Sequence, residues 1–401
     1  MNFFTAMRLD FPYHRWIAIS LVAFAFVIFG NMLPPVDWVS THYLFNYDLG
    51  FQKRGLFGEI RRFFQGGELT TLQARKIAAS LTLISSITLF WFLTRRFRAS
   101  SAGGPLLLLF VTSTAFATFV GNTGLLDMVL VLGCIAALSL PYSVSGHVGR
   151  VALLAVMPLF HENFLPFFAV LIAFDVWIRD LALPMSRRVL LPASFMLVAV
   201  ASVVIVFEFG RHPYEDIWWV GFDLRCRAVD FFINRPSVEA ISQYPEGVRK
   251  PFDVIWTKPR YFFRLFAYGS IGLLFIALYL HRLLKSARHL DRLTRLGMIM
   301  VCLAPVSLNF VAFDVSRFMA IGLLCVFLLA ASLIRHDARF SEALASAVTP
   351  SFVITMLVIS SYFQFIPIND VIDGTDGFPG NLIDQADWFI LPEPTEYWWR
   401  Y

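Results

Sequence analysis

The feature that most constrains this chain is a series of uncharged apolar runs, each close to the length that spans lipid. A helix needs about 20 such residues to cross the hydrocarbon of a bilayer. Candidate spans read near 16–33, 76–94, 104–120, 124–141, 189–209, 262–280, 297–313, 318–334 and 345–366. Residues 151–178 form a further apolar run, broken by Pro158, by His161-Glu162-Asn163 and by Pro166. It is long for one upright span and short for two. Over the 401 residues, 58% are apolar and only 15% charged, with 43 Phe. A soluble protein carries about 25% charged residues, so this chain cannot cover a water-facing surface of its own size. A soluble enzyme, a nucleic-acid reader and a disulfide scaffold are all excluded, and no nucleic-acid partner is expected. The expected fold is an all-α, polytopic transmembrane helix bundle forming a single membrane domain.

Basic residues set the expected orientation. The short segments 1–15, 95–103, 142–150, 179–188, 281–296 and 335–344 hold 16 Lys and Arg against 5 acids, which places them in the cytoplasm by the positive-inside rule. Both 142–150 and 179–188 lie inside only if 151–178 crosses twice as a short helical hairpin. The result is about eleven segments, with the N-terminus cytoplasmic and the C-terminus outside. The first span lacks a small-x-small cleavage site after it and reads as a retained anchor. The tail 367–401, with seven acids and one base, suits the outer side. Cys134, Cys302 and Cys325 lie in spans and Cys226 outside them, so no intrachain disulfide is expected on the oxidising face, and no metal spacing appears.

On this topology the unusual polar residues gather toward the outer side. Two outer loops, 34–75 and 210–261, are longer than connection requires, and such loops are often functional. In the first, Leu56, Phe57, Ile60, Phe63 and Phe64 fall on one helical face, with Glu59, Arg61 and Arg62 turned away. That is the pattern of a helix lying flat at headgroup level. Asp48, Lys53 and Arg54 stand around Gly50 and Gly55, either as an anchor on lipid phosphates or as a loop that handles phosphate or sugar. The second loop interleaves eight bases and seven acids with aromatics. Trp218, Trp219 and Trp256 suit an interfacial belt or stacking on sugars; Arg211, Arg225 and Arg227 suit a phosphate.

Three places put ionisable groups at membrane depth, where insertion costs about 2.5–3.5 kcal/mol each and function is the default hypothesis. Asp127 lies one turn into its span. His161 and Glu162 occupy the hairpin tip. Asp314 and Arg317, three residues apart, read as a neutralising pair that fixes a turn. Asp175 and Glu208, near span ends, are expected to reach water.

A carboxylate among glycines, bases at headgroup level and a His-Glu pair suit a lipid-linked phosphate substrate. Glycosyl transfer from such a donor needs a general base on the acceptor hydroxyl and cations on the departing phosphate. Asp48 is the first candidate base and Glu162, beside His161, the second. Lys53, Arg54 and Arg211, with Arg225 and Arg227, are candidates for the phosphate. No cofactor or metal is called for.

The segments "NYDLGFQKRGLFGEI" (46–60), "GNTGLLDMVL" (121–130), "FHENFLPFF" (160–168) and "FDVSRFMA" (313–320) give the chain a resemblance to integral-membrane glycosyltransferases of GT-C type and to bacterial surface-polysaccharide polymerases. The resemblance implies a large first outer loop with an amphipathic helix and an acidic catalytic residue. It also implies a polyprenyl-phosphate-linked sugar as donor, a glycan or lipid acceptor, and a bacterial inner membrane with the site on the periplasmic face. Two departures stand out: Asp48 is far from Glu59 where GT-C enzymes often show an acidic pair, and the outer soluble domain of many members is missing. A transporter, and a non-catalytic component of an export or assembly complex, remain as alternatives.

Overall fold

The structure is a computed structural model that describes residues 11–32, 35, 37–47, 50–65, 69–179, 181, 184–210, 212, 259–310 and 315–364. Asp48, Arg211, Arg225, Arg227, Asp314, the tail from 365 and nearly all of the second long loop lie outside these residues.

Among the described residues every regular element is helical. The chain opens with α1 (Tyr13–Asn31), α2 (Asp37–His42) and α3 (Gly55–Gln65), followed by α4 (Thr71–Phe97), α5 (Gly103–Val111), α6 (Thr114–Gly121), α7 (Asp127–Ser139) and α8 (Val144–Phe160). A π-helical turn (Leu165–Ala169) leads into α9 (Val170–Arg179), then α10 (Met185–Phe209) and α11 (Pro259–Ser286). The last helices are α12 (Arg292–Ser307), α13 (Val315–His336), α14 (Ala338–Ala347) and α15 (Pro350–Gln364).

Several helices start where a side chain satisfies the first free N–H groups. Thr70 and Gln73 close a reciprocal capping box on α4. Ser113 caps α6, Ser143 caps α8, and Asp291 and Asp337 cap α12 and α14. Two of the few acids in the basic segments are thus helix caps.

Among the described residues four stretches are long and apolar enough to cross a membrane: α1, α4, Arg188–Phe209 of α10 and Arg317–His336 of α13. The number is six if α5 with α6, and α14 with Pro350–Ser360, each count as one bent span. The expected total of about eleven rests on shorter helices such as α7 and α8 crossing as well. The bundle is built around α13, whose spanning window is 100% buried, against 28% for α1 and 17% for α10. Helices α4, α6, α9, α11 and α12 pack on it. In contrast, α1 and α10 turn Phe26, Phe29, Leu190 and Leu197 outward. Apolar side chains on the outside of an apolar bundle suit lipid as the surrounding solvent.

The ambiguous run 151–178 is two helices, α8 and the π turn with α9, separated at His161–Phe164. Both pack on α10. Helix α8 starts at Val144, inside the segment read as a loop at 142–150, and so reaches 17 residues. Arg150 is accordingly buried, donating to the carbonyls of Leu140 and Pro141 at 2.8 and 3.1 Å. Arg96 and Arg335 donate to Leu138 O at 2.9 and 3.0 Å. Three guanidiniums therefore satisfy carbonyls at the negative end of α7.

Helix α3 forms as predicted; its inner side is Gly55, Gly58 and Arg61, while Phe63 and Phe64 are strongly exposed. On that inner side Arg61 Nε donates to Tyr43 O at 3.0 Å. The glycines decide this, because a Cβ on Gly58 would lie 1.9 Å from Phe45 O. One expectation is corrected here: Asp175 does not reach water. It is 4% exposed, accepts from Ser332 Oγ and lies 3.4 Å from His336 Nε2. This second polar group sits at the C-terminal end of α13.

A third polar knot ties α9, α10 and α12. Arg188 stacks on Trp177 at 4.1 Å and donates to Asp291 at 3.0 Å, while Trp177 Nε1 donates to Thr294 Oγ1 at 3.0 Å. Partial burial raises the Asp291 carboxyl, but donors from Thr294 and Arg188 overcome this and hold it below its ordinary value. Asp291→Ala should lower stability by about 1 kcal/mol through the lost cap. Asp291→Asn should cost less, because an amide oxygen still caps. A depressed folded-state value means the ion pair's contribution is complete above about pH 3.9 and is lost as pH falls further. The difference between wild type and Asp291→Asn should therefore vanish in acid, as read by thermal unfolding in detergent between pH 7 and 3.

Candidate functional site

At the opposite end of α13 from Asp175, five chain segments bring their ionisable groups together. The first is the turn before α3. Lys53 N–H donates to Gly210 O at 3.0 Å and Gly55 N–H to Gln52 O at 3.2 Å. Between them Arg54 adopts φ 62°, the one non-glycine positive φ among the described residues. For an L-residue that conformation costs about 1–2 kcal/mol, and such strain persists only where surroundings over-determine it. Here the surroundings are the close seating of α3 and the bonds its side chain makes.

Arg54 Nε donates to Glu162 Oε2 at 3.0 Å, and its Nη2 donates to Glu162 Oε1. Arg54 Nη1 lies 3.0 Å from His42 Nε2. A guanidinium only donates, so His42 Nε2 accepts and its proton sits on Nδ1. Lys53 Nζ reaches the same Glu162 Oε1 at 3.1 Å and stands 4.8 Å above the Phe207 ring. Glu162 Oε2 is 3.4 Å from His161 Nδ1, which takes the Asn163 N–H at 3.2 Å. His161 Nε2 is 3.5 Å from Arg317 Nη2, and Arg317 grips Asp127 with two donors, Nε and Nη2. Lys53, Arg54, Glu162, His161, Arg317 and Asp127 thus form one chain of contacts, with His42 against Arg54. Each is at most 9% exposed.

Two clefts flank Arg317. One is lined by His42, Tyr43, Gly124, His161 and Arg317. The other is lined by Asn122, Asp127, Met128 and Arg317 with apolar neighbours. Gly124 lets the first wall form. Its φ is +80°, a Cβ there would meet Tyr43 Oη at 2.4 Å, and its carbonyl accepts the Tyr43 hydroxyl. The π-helical turn just after Glu162 shifts the backbone register, a distortion common at functional sites. Cys325 Sγ satisfies the Phe167 carbonyl there at 3.2 Å.

Of the residues singled out from sequence, Lys53, Arg54, Asp127, His161, Glu162 and Arg317 come together. Asp48, Arg211, Arg225, Arg227 and Asp314 lie outside the described residues. Arg317 holds Asp127, 190 positions away, a partner not anticipated, while its expected pairing with Asp314 lies outside the described residues. Asp127 and Glu162, without a local partner in sequence, both have distant ones. His42 was not anticipated, although it lies in the same outer segment as Asp48. Among the described residues no group of three or more His, Cys, Asp or Glu is placed to hold a metal ion.

Removing one side of a buried pair leaves a charge stranded, at a cost of about 3–5 kcal/mol, whereas replacing both sides is often neutral. Asp127→Asn and Arg317→Gln should therefore each lower thermal stability sharply, and Asp127→Leu with Arg317→Met should recover most of the loss in an unfolding assay. No family model, curated protein or solved structure matches this chain.

Proposed function

We propose that the protein is a membrane glycosyltransferase or polymerase of bacterial surface polysaccharide, using a polyprenyl-phosphate-linked sugar at the periplasmic face of the inner membrane. The eleven-segment bundle, with the N-terminus inside and the C-terminus outside, belongs to the same proposal. It puts the Lys53–Asp127 cluster on the outer side, at the depth where a lipid-borne phosphate resides.

The observation that carries the reading is a buried set of cations, Arg54 and Lys53, fixed by backbone and packing at the turn that opens α3. Exposed Phe63 and Phe64 on that helix would sit at the lipid boundary, next to where a polyprenyl chain enters. In the reaction, the acceptor hydroxyl loses its proton to a carboxylate, Glu162 or Asp48. Its oxygen forms the bond to the anomeric carbon as the carbon–oxygen bond to phosphate breaks. The electron pair leaves on the phosphate, where the guanidinium and ammonium stabilise it.

The Asp175 group at the other end of α13 does not favour a transporter. Residues 318–331 between the two groups are uniformly apolar or Gly and Cys, which offers no polar path. Arg54→Gln should reduce turnover by about 100-fold, the usual effect of losing one charge-stabilising donor. The check is release of polyprenyl phosphate from a labelled donor by purified protein in nanodiscs, with cell-surface polymer measured at equal protein abundance. Wild-type release by Arg54→Gln would remove the assignment.

A further inference from the structure

We propose that Glu162 is a latch which the substrate's own phosphate opens. In the resting site the carboxylate occupies the cations, and a phosphate ester arriving there displaces it. This rests on the phosphate reading above and adds an order of events to it.

The first argument is one of shared geometry. The planar fork of Arg54 that binds Glu162, Nε with Nη2, is the same fork that would bind a phosphate bidentately. It cannot hold both anions at once. Lys53 Nζ sits on the same Oε1 atom that Arg54 Nη2 holds, so the two cations converge on a single anion position. Glu162 fills that position with one negative charge. The phosphodiester of the donor brings the same single charge on two non-bridging oxygens, one for each cation, and becomes a monoester of about −1.5 to −2 as the sugar leaves.

The second argument concerns which partner is free to move. The Lys53 backbone is bonded to Gly210 O at 3.0 Å and its ammonium lies over the Phe207 ring. Arg54 is locked in a left-handed backbone conformation, with Nη1 against His42. Glu162 stands in the short break between α8 and the π-helical turn, on a side chain with three rotatable bonds. Displacement therefore moves the carboxylate and leaves the cations in place.

The third argument is the chemical consequence. With both cations on it, Glu162 is a poor proton acceptor. Once displaced, it keeps only His161 at hand, beside the cleft lined by His42 and Arg317. A carboxylate in a low-dielectric site without its cations is a far stronger base. The donor thus generates the base that activates the acceptor, and no acceptor hydroxyl is activated before a donor is in place.

The test is binding of undecaprenyl phosphate, and separately of inorganic phosphate, to nanodisc-embedded full-length protein by titration calorimetry. Wild type, Glu162→Gln and Arg54→Gln are compared. Removing the competing carboxylate should tighten Glu162→Gln by about ten-fold or more, while Arg54→Gln should lose binding. Tightening for both ligands assigns the latch to the phosphate itself, and tightening for the lipid alone assigns it to the lipid-borne headgroup; either supports the proposal. If wild type binds, Arg54→Gln does not, and Glu162→Gln is unchanged or weaker, the latch is wrong and the phosphate site stands. If wild type shows no saturable binding, or Arg54→Gln binds like wild type, the phosphate reading falls and takes the latch with it. Should Glu162→Gln fail to elute as a folded species, Glu162→Asp takes its place. It is one methylene too short to span the fork, so several-fold tightening is expected and unchanged affinity overturns the latch.

Discussion

A guanidinium at the buried end of an apolar helix must be paired, and the arrangement of this bundle follows from how that requirement is met. Helix α13 is enclosed along its length, so Arg317 finds its partners inside the bundle. Its two donors go to Asp127, at the first residue of α7. The bond fixes the register of α7 against α13 at one end. At the other end, Arg335 of α13 and Arg96 of α4 both donate to Leu138 O of α7. Between these clamps the contacts are apolar and directionless, and hydrophobic packing alone does not select one sliding position over another in a surrounding that is equally apolar.

The same logic extends across the site. Every charge in it is bonded to another element: Arg54 before α3 to Glu162 after α8, and Glu162 to Lys53. Buried ion pairs of this kind recover little net stability, since desolvation offsets most of the Coulomb gain. Their persistence is therefore hard to explain as scaffolding. The positive φ of Arg54 argues in the same direction, because a glycine at that position would remove the strain and also the side chain. What the protein retains is a preorganised pair of cations whose present occupant is a side chain.

Much of this was legible in the sequence. Apolar run length gave the helices, and the cost of charge at membrane depth singled out Asp127, His161, Glu162 and Arg317 before any contact was visible. The pairing was not legible. Arg317 has a carboxylate three residues away, and no local pattern points to the one 190 away that it holds. The periodicity of α3 is plain in the sequence, but what seats its other side is not: the closeness of the Phe45 and Tyr43 carbonyls reserves that side for Gly58 and a hydrogen-bonding Arg61. Asp175 was read by its nearness to a span end, whereas Ser332 and His336, far away in sequence, keep it inside. His42 carried no signal of its own, because it joins the site by accepting from Arg54, twelve residues on.

The bond from Lys53 N–H to Gly210 O joins two parts of the chain that are remote in sequence. It is reinforced by His212 Nε2 against Phe51 O at 2.9 Å. A Cβ on Gly210 would lie 2.8 Å from Lys53 N, so the backbones are in direct touch. The polypeptide leaving α10 is thereby coupled to the strained turn like a lever to its fulcrum. Any force applied through residue 210 reaches the ammonium and guanidinium without passing through a helix.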